Sequence, residues 1–132
     1  MPTPAETGLK RWHELVESRD ASLLPGLIAE NAVFRSPAVH SPQEGRDLVA
    51  AYLAGAIVVL GPELVYHDEW VRERDAVLRF TTVVDGLQVE GVDMITWDDG
   101  GQIVAFTVMV RPLKALNAIV ARMGAELAKL AG

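Results

Sequence analysis

One carboxylate interrupts an otherwise apolar set of alternate residues: Leu87, Val89, Gly91, Asp93, Ile95 and Trp97. On a strand these six share a face. An aspartate among them must be protonated, partnered or hydrated in a cavity, because a buried unpaired carboxylate costs several kcal/mol. A neutral acid so placed can donate a hydrogen bond to a carbonyl oxygen and stabilise charge developing there. The plainer alternative is that Asp93 bonds a neighbouring hydroxyl or backbone amide. Three histidines, His13, His40 and His67, would be the minimum for a metal triad, but none is paired at ligand spacing. There is no cysteine, which excludes disulfides and zinc–thiolate sites. The chain carries no phosphate loop, nucleophile elbow or dinucleotide fingerprint, so no cofactor is expected. Ser36-Pro37 and Ser41-Pro42 read as turn and cap chemistry rather than nucleophiles.

The elements that must position Asp93 follow from periodicity. Thr3-Pro4-Ala5-Glu6 reads as a capping box with proline at the first helical position. Leu9, Trp12, Leu15 and Val16 then give an amphipathic helix to about Arg19. His13 lies off that stripe and is expected to be solvated. Asp20 can cap a short helix bearing Leu23, Leu24, Leu27 and Ile28, and Asn31 to Ser36 reads as a short strand closed by Pro37. A third helix spans Gly45 to Leu60, with Leu48, Val49, Tyr52, Leu53 and Ala56 on one side.

From Pro62 the texture becomes β-branched and aromatic. Leu64 to Val71, Ala76 to Val84, Leu87 to Trp97 and Ile103 to Arg111 read as four consecutive antiparallel strands. Pro112 opens a last helix with Leu113, Leu116, Ile119, Val120, Met123, Leu127 and Leu130 along one stripe. Helices followed by a meander make an α+β domain, expected to span residues 1–132.

Asp85-Gly86 is a two-residue hairpin signal, and loop length fixes register. Val84 should oppose Leu87, Phe80 should oppose Gly91 and Leu78 should oppose Asp93. Carried across Asp98-Asp99-Gly100-Gly101, the register pairs Trp97 with Gln102 and Asp93 with Phe106, adding Val104, Phe106, Val108 and Val110 to the Asp93 face. A cavity shared by Asp93, Trp12, Phe80 and Phe106 is the expectation. For the strand Leu64 to Val71 the turn Arg72 to Asp75 decides the outcome. An even loop turns His67 and Glu69 toward the pocket; an odd loop turns Tyr66, Asp68 and Trp70 there. In the even case Glu69, Leu78 and Asp93 form one row, with the carboxylates about 10 Å apart. The opposite face, with Val83, Met94, Thr107 and Met109, is too apolar to be simply solvated, so a homodimer is expected. Arg79 and Glu90 could pair across it.

Bulk properties narrow the partners. A net charge of −6 and a pI near 5.0 argue against nucleic acid and anionic membrane surfaces. Half the residues are hydrophobic and mean hydropathy is +0.20, so apolar surface must line a pocket or an interface. The N-terminus lacks a signal-peptide core and the longest apolar run, Leu48 to Leu60, is too short to span a membrane. A cytoplasmic protein is the expectation by elimination.

Arg11-Trp12, Arg19-Asp20, Ala29-Glu30-Asn31-Ala32-Val33-Phe34, Ser36-Pro37 and Gly45 together resemble the opening of ketosteroid isomerases. Val92 to Ile103 is similar to that family's fourth strand and following turn. The order of elements resembles the nuclear-transport-factor-2-like superfamily and its SnoaL-like polyketide cyclase branch. The resemblance implies a cone-shaped, cystatin-like α+β fold: a curved antiparallel sheet and N-terminal helices enclosing an apolar pocket, here with an extra C-terminal helix. It also implies site positions. The isomerases' general-base aspartate falls on Ser36, which cannot serve. Their oxyanion-hole tyrosine falls on Trp12, and their protonated second donor on Asp93. Their supporting tyrosine falls on Leu53, beside Tyr52.

Three functions remain open. The first is isomerase or cyclase chemistry on a hydrophobic carbonyl compound, with Asp93 transferring the proton. The second is non-catalytic binding of a small hydrophobic molecule in the same pocket. The third is a dimeric scaffold without a ligand. Asp93 on an apolar face favours the first two, and Ser36 in place of a base favours the second over the first.

Overall fold

The computed structural model describes residues 1–131, with side chains through residue 129. Helix α1 (Pro4–Ser18) leads through a 3-10 turn (Ala21–Leu23) and the one-turn α2 (Leu24–Leu27) into β1 (Ile28–Arg35). A two-residue β2 (Gln43–Glu44) precedes α3 (Arg46–Leu60) and a 3-10 turn (Gly61–Glu63). Then come β3 (Val65–Val71), β4 (Asp75–Val84), β5 (Leu87–Trp97), β6 (Ile103–Arg111) and α4 (Leu113–Ala131).

The curved sheet has six strands in the order β2-β1-β6-β5-β4-β3. Every neighbouring pair is antiparallel except β1 and β6, which run parallel. The parallel junction and β2 go beyond the antiparallel meander read from the sequence. They arise because β1 returns to the sheet from the helical N-terminal third, entering on the far side of β6.

Local chemistry sets each boundary. The Thr3 hydroxyl caps α1 by accepting the Glu6 amide at 3.1 Å, with Pro4 in the first turn. Arg19 ends the helix in the left-handed region, its amide bonded to the Leu15 carbonyl at 2.8 Å. Ala5, Gly8, Trp12 and Leu15 form the buried line of α1. Gly8 belongs to it because Trp97 lies directly on the helix backbone: a Cβ at residue 8 would stand 2.2 Å from the Trp97 ring. Asp85 and Gly86 both adopt positive φ, as a type I′ turn requires, and β4 and β5 pair in the expected register, Leu78 opposite Asp93 and Phe80 opposite Gly91.

Two bulges overturn expected registers. Between β5 and β6, Thr96 faces Ala105 while Trp97 faces Ile103, so Val104 is the extra residue. The turn is also one residue longer than expected, pairing Trp97 with Ile103 rather than Gln102, so turn and bulge together set Asp93 opposite Val108, not Phe106, and Ile103 replaces Val104 on the inner face. Between β3 and β4 the even turn sets Glu69 opposite Leu78, but a shift at His67 brings Tyr66 opposite Phe80. Both alternatives for β3 are thus half realised, because one extra residue reverses the parity of the strand beyond it.

The helices also depart from the expected stripes. On α3 Val49 and Leu53 are buried as expected, but Leu48 is exposed and Gly55 and Ile57 join the buried side. On α4 the buried residues are Ala115 and Ile119, with Met123 partly buried beside them, whereas Leu113 and Val120 are exposed. Helix α4 packs with Val84 and Val89 at the β4–β5 end and with Val59 and Leu60 of α3. The expected stripe residue Leu130 lies outside the described side chains. The main core joins α1, α3 and the inner sheet face through Trp12, Leu15, Leu53, Leu78, Phe80, Trp97 and Phe106.

Candidate active site

Asp93 occupies the middle of the central strand β5, between Leu78 of β4 and Val108 of β6, and is 6% exposed. Its partner is Tyr66, whose hydroxyl donates to Asp93 Oδ2 at 2.5 Å. Trp12 Nε1 donates to the same tyrosine oxygen at 3.0 Å. An indole can only donate, so the directions are set: Trp12 gives to Tyr66, and Tyr66 gives its one proton to Asp93. The side-chain hydrogen bond to Asp93 falls on Oδ2.

Around this relay the walls are aromatic and aliphatic. Trp12 meets Phe106 edge-on at 5.0 Å, and Tyr66 meets Phe80 edge-on at 6.2 Å. The cavity measures about 40 Å³, and Asp93 and Tyr66 are its only ionisable lining residues among those described. Burial pushes the Asp93 carboxyl up to about 7, and the Tyr66 hydrogen bond opposes this only in part. No cation contributes. The same desolvation, followed by the neighbouring Asp93 charge, holds the Tyr66 phenol well above its ordinary value. Near neutral pH the site can thus hold Asp93 in either protonation state beside a tyrosine that stays protonated.

The structure gathers Asp93, Trp12, Phe80 and Phe106 around one cavity, with Tyr66 as an added member. Ser36 and Tyr52 line an adjoining chamber instead. The Ser36 hydroxyl accepts the Ala38 amide at 3.0 Å, which is turn chemistry. His67 is turned outward by its own bulge and contacts the Thr81 hydroxyl at 2.6 Å, away from the cavity. Glu69 does stand in the row with Leu78 and Asp93, but at the exposed sheet edge, paired with His13. His13 is accordingly partnered, not simply solvated, and its ring meets Tyr66 edge-on at 5.5 Å. Among the described residues no cluster of three or more His, Asp or Glu could hold a metal ion, and no helix is long and apolar enough to cross a membrane.

The description "SnoaL-like domain" matches residues 9–106, from α1 to the middle of β6. The chain belongs to the SnoaL-like family. This SnoaL-like protein is similar to a steroid delta-isomerase from Pseudomonas aeruginosa, with 39% identity, a TM-score of 0.92, and coverage of 100% of this chain and 98% of that one. A protein with a cystatin-like fold from Silicibacter pomeroyi shares 35% identity over 89% of this chain and 83% of its own, with a TM-score of 0.83. A nuclear-transport-factor-2-like protein from Mesorhizobium loti, 23% identical, covers 85% of this chain and 97% of its own with a TM-score of 0.71 and shares the fold. No curated protein matches the sequence. The α+β fold expected from the resemblance is the fold observed, with the C-terminal helix α4 following the residues that match the family.

Proposed function

We propose that this SnoaL-like protein binds a small, uncharged carbonyl compound and moves a proton on it through Asp93, as an isomerase or cyclase does. The observation that carries the reading is the Asp93–Tyr66 pair: a carboxyl pushed up to about 7, hydrogen-bonded by a phenol, on an apolar wall. A carboxyl with that value both gives and takes a proton near neutral pH, the condition under which general acid–base catalysis is most effective. The neutral acid donates a hydrogen bond from Oδ1 to the carbonyl oxygen on binding. In its carboxylate form Asp93 takes the proton from the carbon beside the carbonyl, leaving an enolate, and the acid so formed returns a proton to the enolate carbon, while the Tyr66 hydroxyl keeps its hydrogen bond to Oδ2. Similarity to the Pseudomonas aeruginosa steroid delta-isomerase supports the same reaction class.

A second reading, ligand binding without turnover, is favoured by the residue at position 36. Ser36 is not a base and does not line the Asp93 cavity, which holds no second carboxylate. The two readings separate in heavy water. Deuterium wash-in at the carbon beside the carbonyl of a methyl ketone, abolished in Asp93→Asn, supports catalysis. Saturable binding without wash-in supports the binder, and neither wash-in nor binding overturns both.

The outer sheet face supports a homodimer in this reading. Met109 is 56% exposed there, and Arg79 bridges Asp68 at 2.7 Å and Glu90 at 2.9 Å beside it. A cytoplasmic location belongs to the same proposal.

A further inference from the structure

Tyr66 joins Trp12 to Asp93, yet its own strand grips it from one side only. β3 is an edge strand paired with β4 alone, and the bulge at His67 interrupts that pairing next to Tyr66. The phenol must still be held to about 0.5 Å for its hydroxyl to stay on the carboxylate, which neighbouring groups have to ensure. Helix α1 supplies those groups. Trp12 Nε1 donates to the Tyr66 hydroxyl at 3.0 Å, and the next residue, His13, sets its ring edge-on against the phenol at 5.5 Å. His13 is in turn held by Glu69, farther along β3. A carboxylate can only accept, so His13 Nε2 donates to Glu69 Oε2.

We infer that His13 and Glu69 are positioning residues: their bond across the α1–β3 junction fixes the Tyr66 ring so that its hydroxyl stays aimed at Asp93. This rests on the reading of Asp93 as the acid of the site and extends it to two residues that do not line the cavity. An ion pair at an exposed edge contributes little to stability by itself, and these side chains are 36% and 33% exposed. What they touch gives the pair its role. Glu69 shares the inner-face row of Leu78 and Asp93, so it reaches toward α1. The phenol has two edge-on neighbours, Phe80 on β4 and His13 on α1. Burial fixes Phe80; His13, partly exposed, is fixed by Glu69.

The test follows the Asp93 carboxyl of the whole chain by carbon-detected NMR, with circular dichroism melts to establish that each variant is folded. Glu69→Ala, which frees His13, should raise the Asp93 titration by about half a pH unit or more, because the phenol then holds the carboxylate less well. Loss of the Glu69 charge alone would act the other way, since a negative neighbour disfavours the carboxylate. Glu69→Gln keeps an acceptor for His13 and should show no rise, whereas His13→Ala should raise the titration as Glu69→Ala does. In a Tyr66→Phe background neither Glu69→Ala nor His13→Ala should raise it further, because the effect passes through the hydroxyl. A titration that Glu69→Ala leaves unchanged or lowers, or a rise that persists in Tyr66→Phe, would overturn the positioning role, whatever happens to the melting temperature. The underlying reading fails separately. If the parent protein gives no deuterium wash-in on a methyl ketone, Asp93 is not the acid of that reaction, and the titrations still decide whether His13 and Glu69 position Tyr66.

Discussion

Tyr66 and Asp93 are 27 residues apart and lie on strands separated by β4, yet their side chains meet at 2.5 Å. The phenol reaches diagonally across β4, from opposite Phe80 to the residue paired with Leu78. This contact turns an aspartate on an apolar face into a hydrogen-bonded acid.

Removing the tyrosine hydroxyl while keeping its ring should therefore move the Asp93 titration further upward. Tyr66 favours the charged carboxylate by donating to it, and a hydrogen bond to a charged group is worth about 1.5–3 kcal/mol. In Tyr66→Phe the carboxyl should titrate about one pH unit or more higher than in the parent, followed by carbon-detected NMR. An unchanged titration would show that the phenol does not hold the carboxylate.

Asp93 should also make stability depend on pH in a defined direction. Its folded value, about 7, lies above the ordinary aspartate value of 3.8, so the folded state holds the proton more tightly. Its contribution is fully present below about pH 4 and is lost as pH rises through 7. Urea unfolding of Asp93→Asn should lack that loss. Relative to the parent, the variant should gain stability between pH 4 and 8, on the order of 4 kcal/mol at most. Parallel profiles would place Asp93 in a solvent-like setting.

Gly8 should not accept a side chain. A methyl there would meet the Trp97 ring at 2.2 Å, so α1 must lift from the sheet or Trp97 must leave its place. Gly8→Ala should raise helix propensity yet destabilise the protein by about 1–3 kcal/mol, read from denaturant midpoints. Since Trp12 rides on α1, indole fluorescence should shift as well.

The outer face gives an assembly prediction. Light scattering at micromolar concentration should show a dimer. Met94→Glu, which sets a charge on that face between Val77 and Thr107, should weaken it because an unpaired charge would enter an apolar contact. A monomeric parent protein would end the homodimer proposal.

The burial of Asp93 on an apolar sheet face was legible in the sequence. Alternation placed Asp93 among Val89, Ile95 and Trp97, and Asp85-Gly86 set the β4–β5 register that aligns it with Leu78. Both signals are local, carried by the two-residue period of a strand and by the two positive φ angles of one turn. The capped start of α1 was legible for the same reason.

Tertiary structure alone decided who meets Asp93. The extra residue at His67 brings Tyr66 to the inner face and turns His67 outward, and the one at Val104, with a β5–β6 turn one residue longer than expected, puts Val108 rather than Phe106 opposite the acid. A bulge has no fixed residue signature, because it is a compromise between strand pairing and the curvature needed to cover the core. The same holds for the buried side of α4. Its apolar residues offer more than one stripe, and only packing against Val84, Val89 and Leu60 selects Ala115 and Ile119. That choice leaves Met123 and Leu127 over the adjoining chamber.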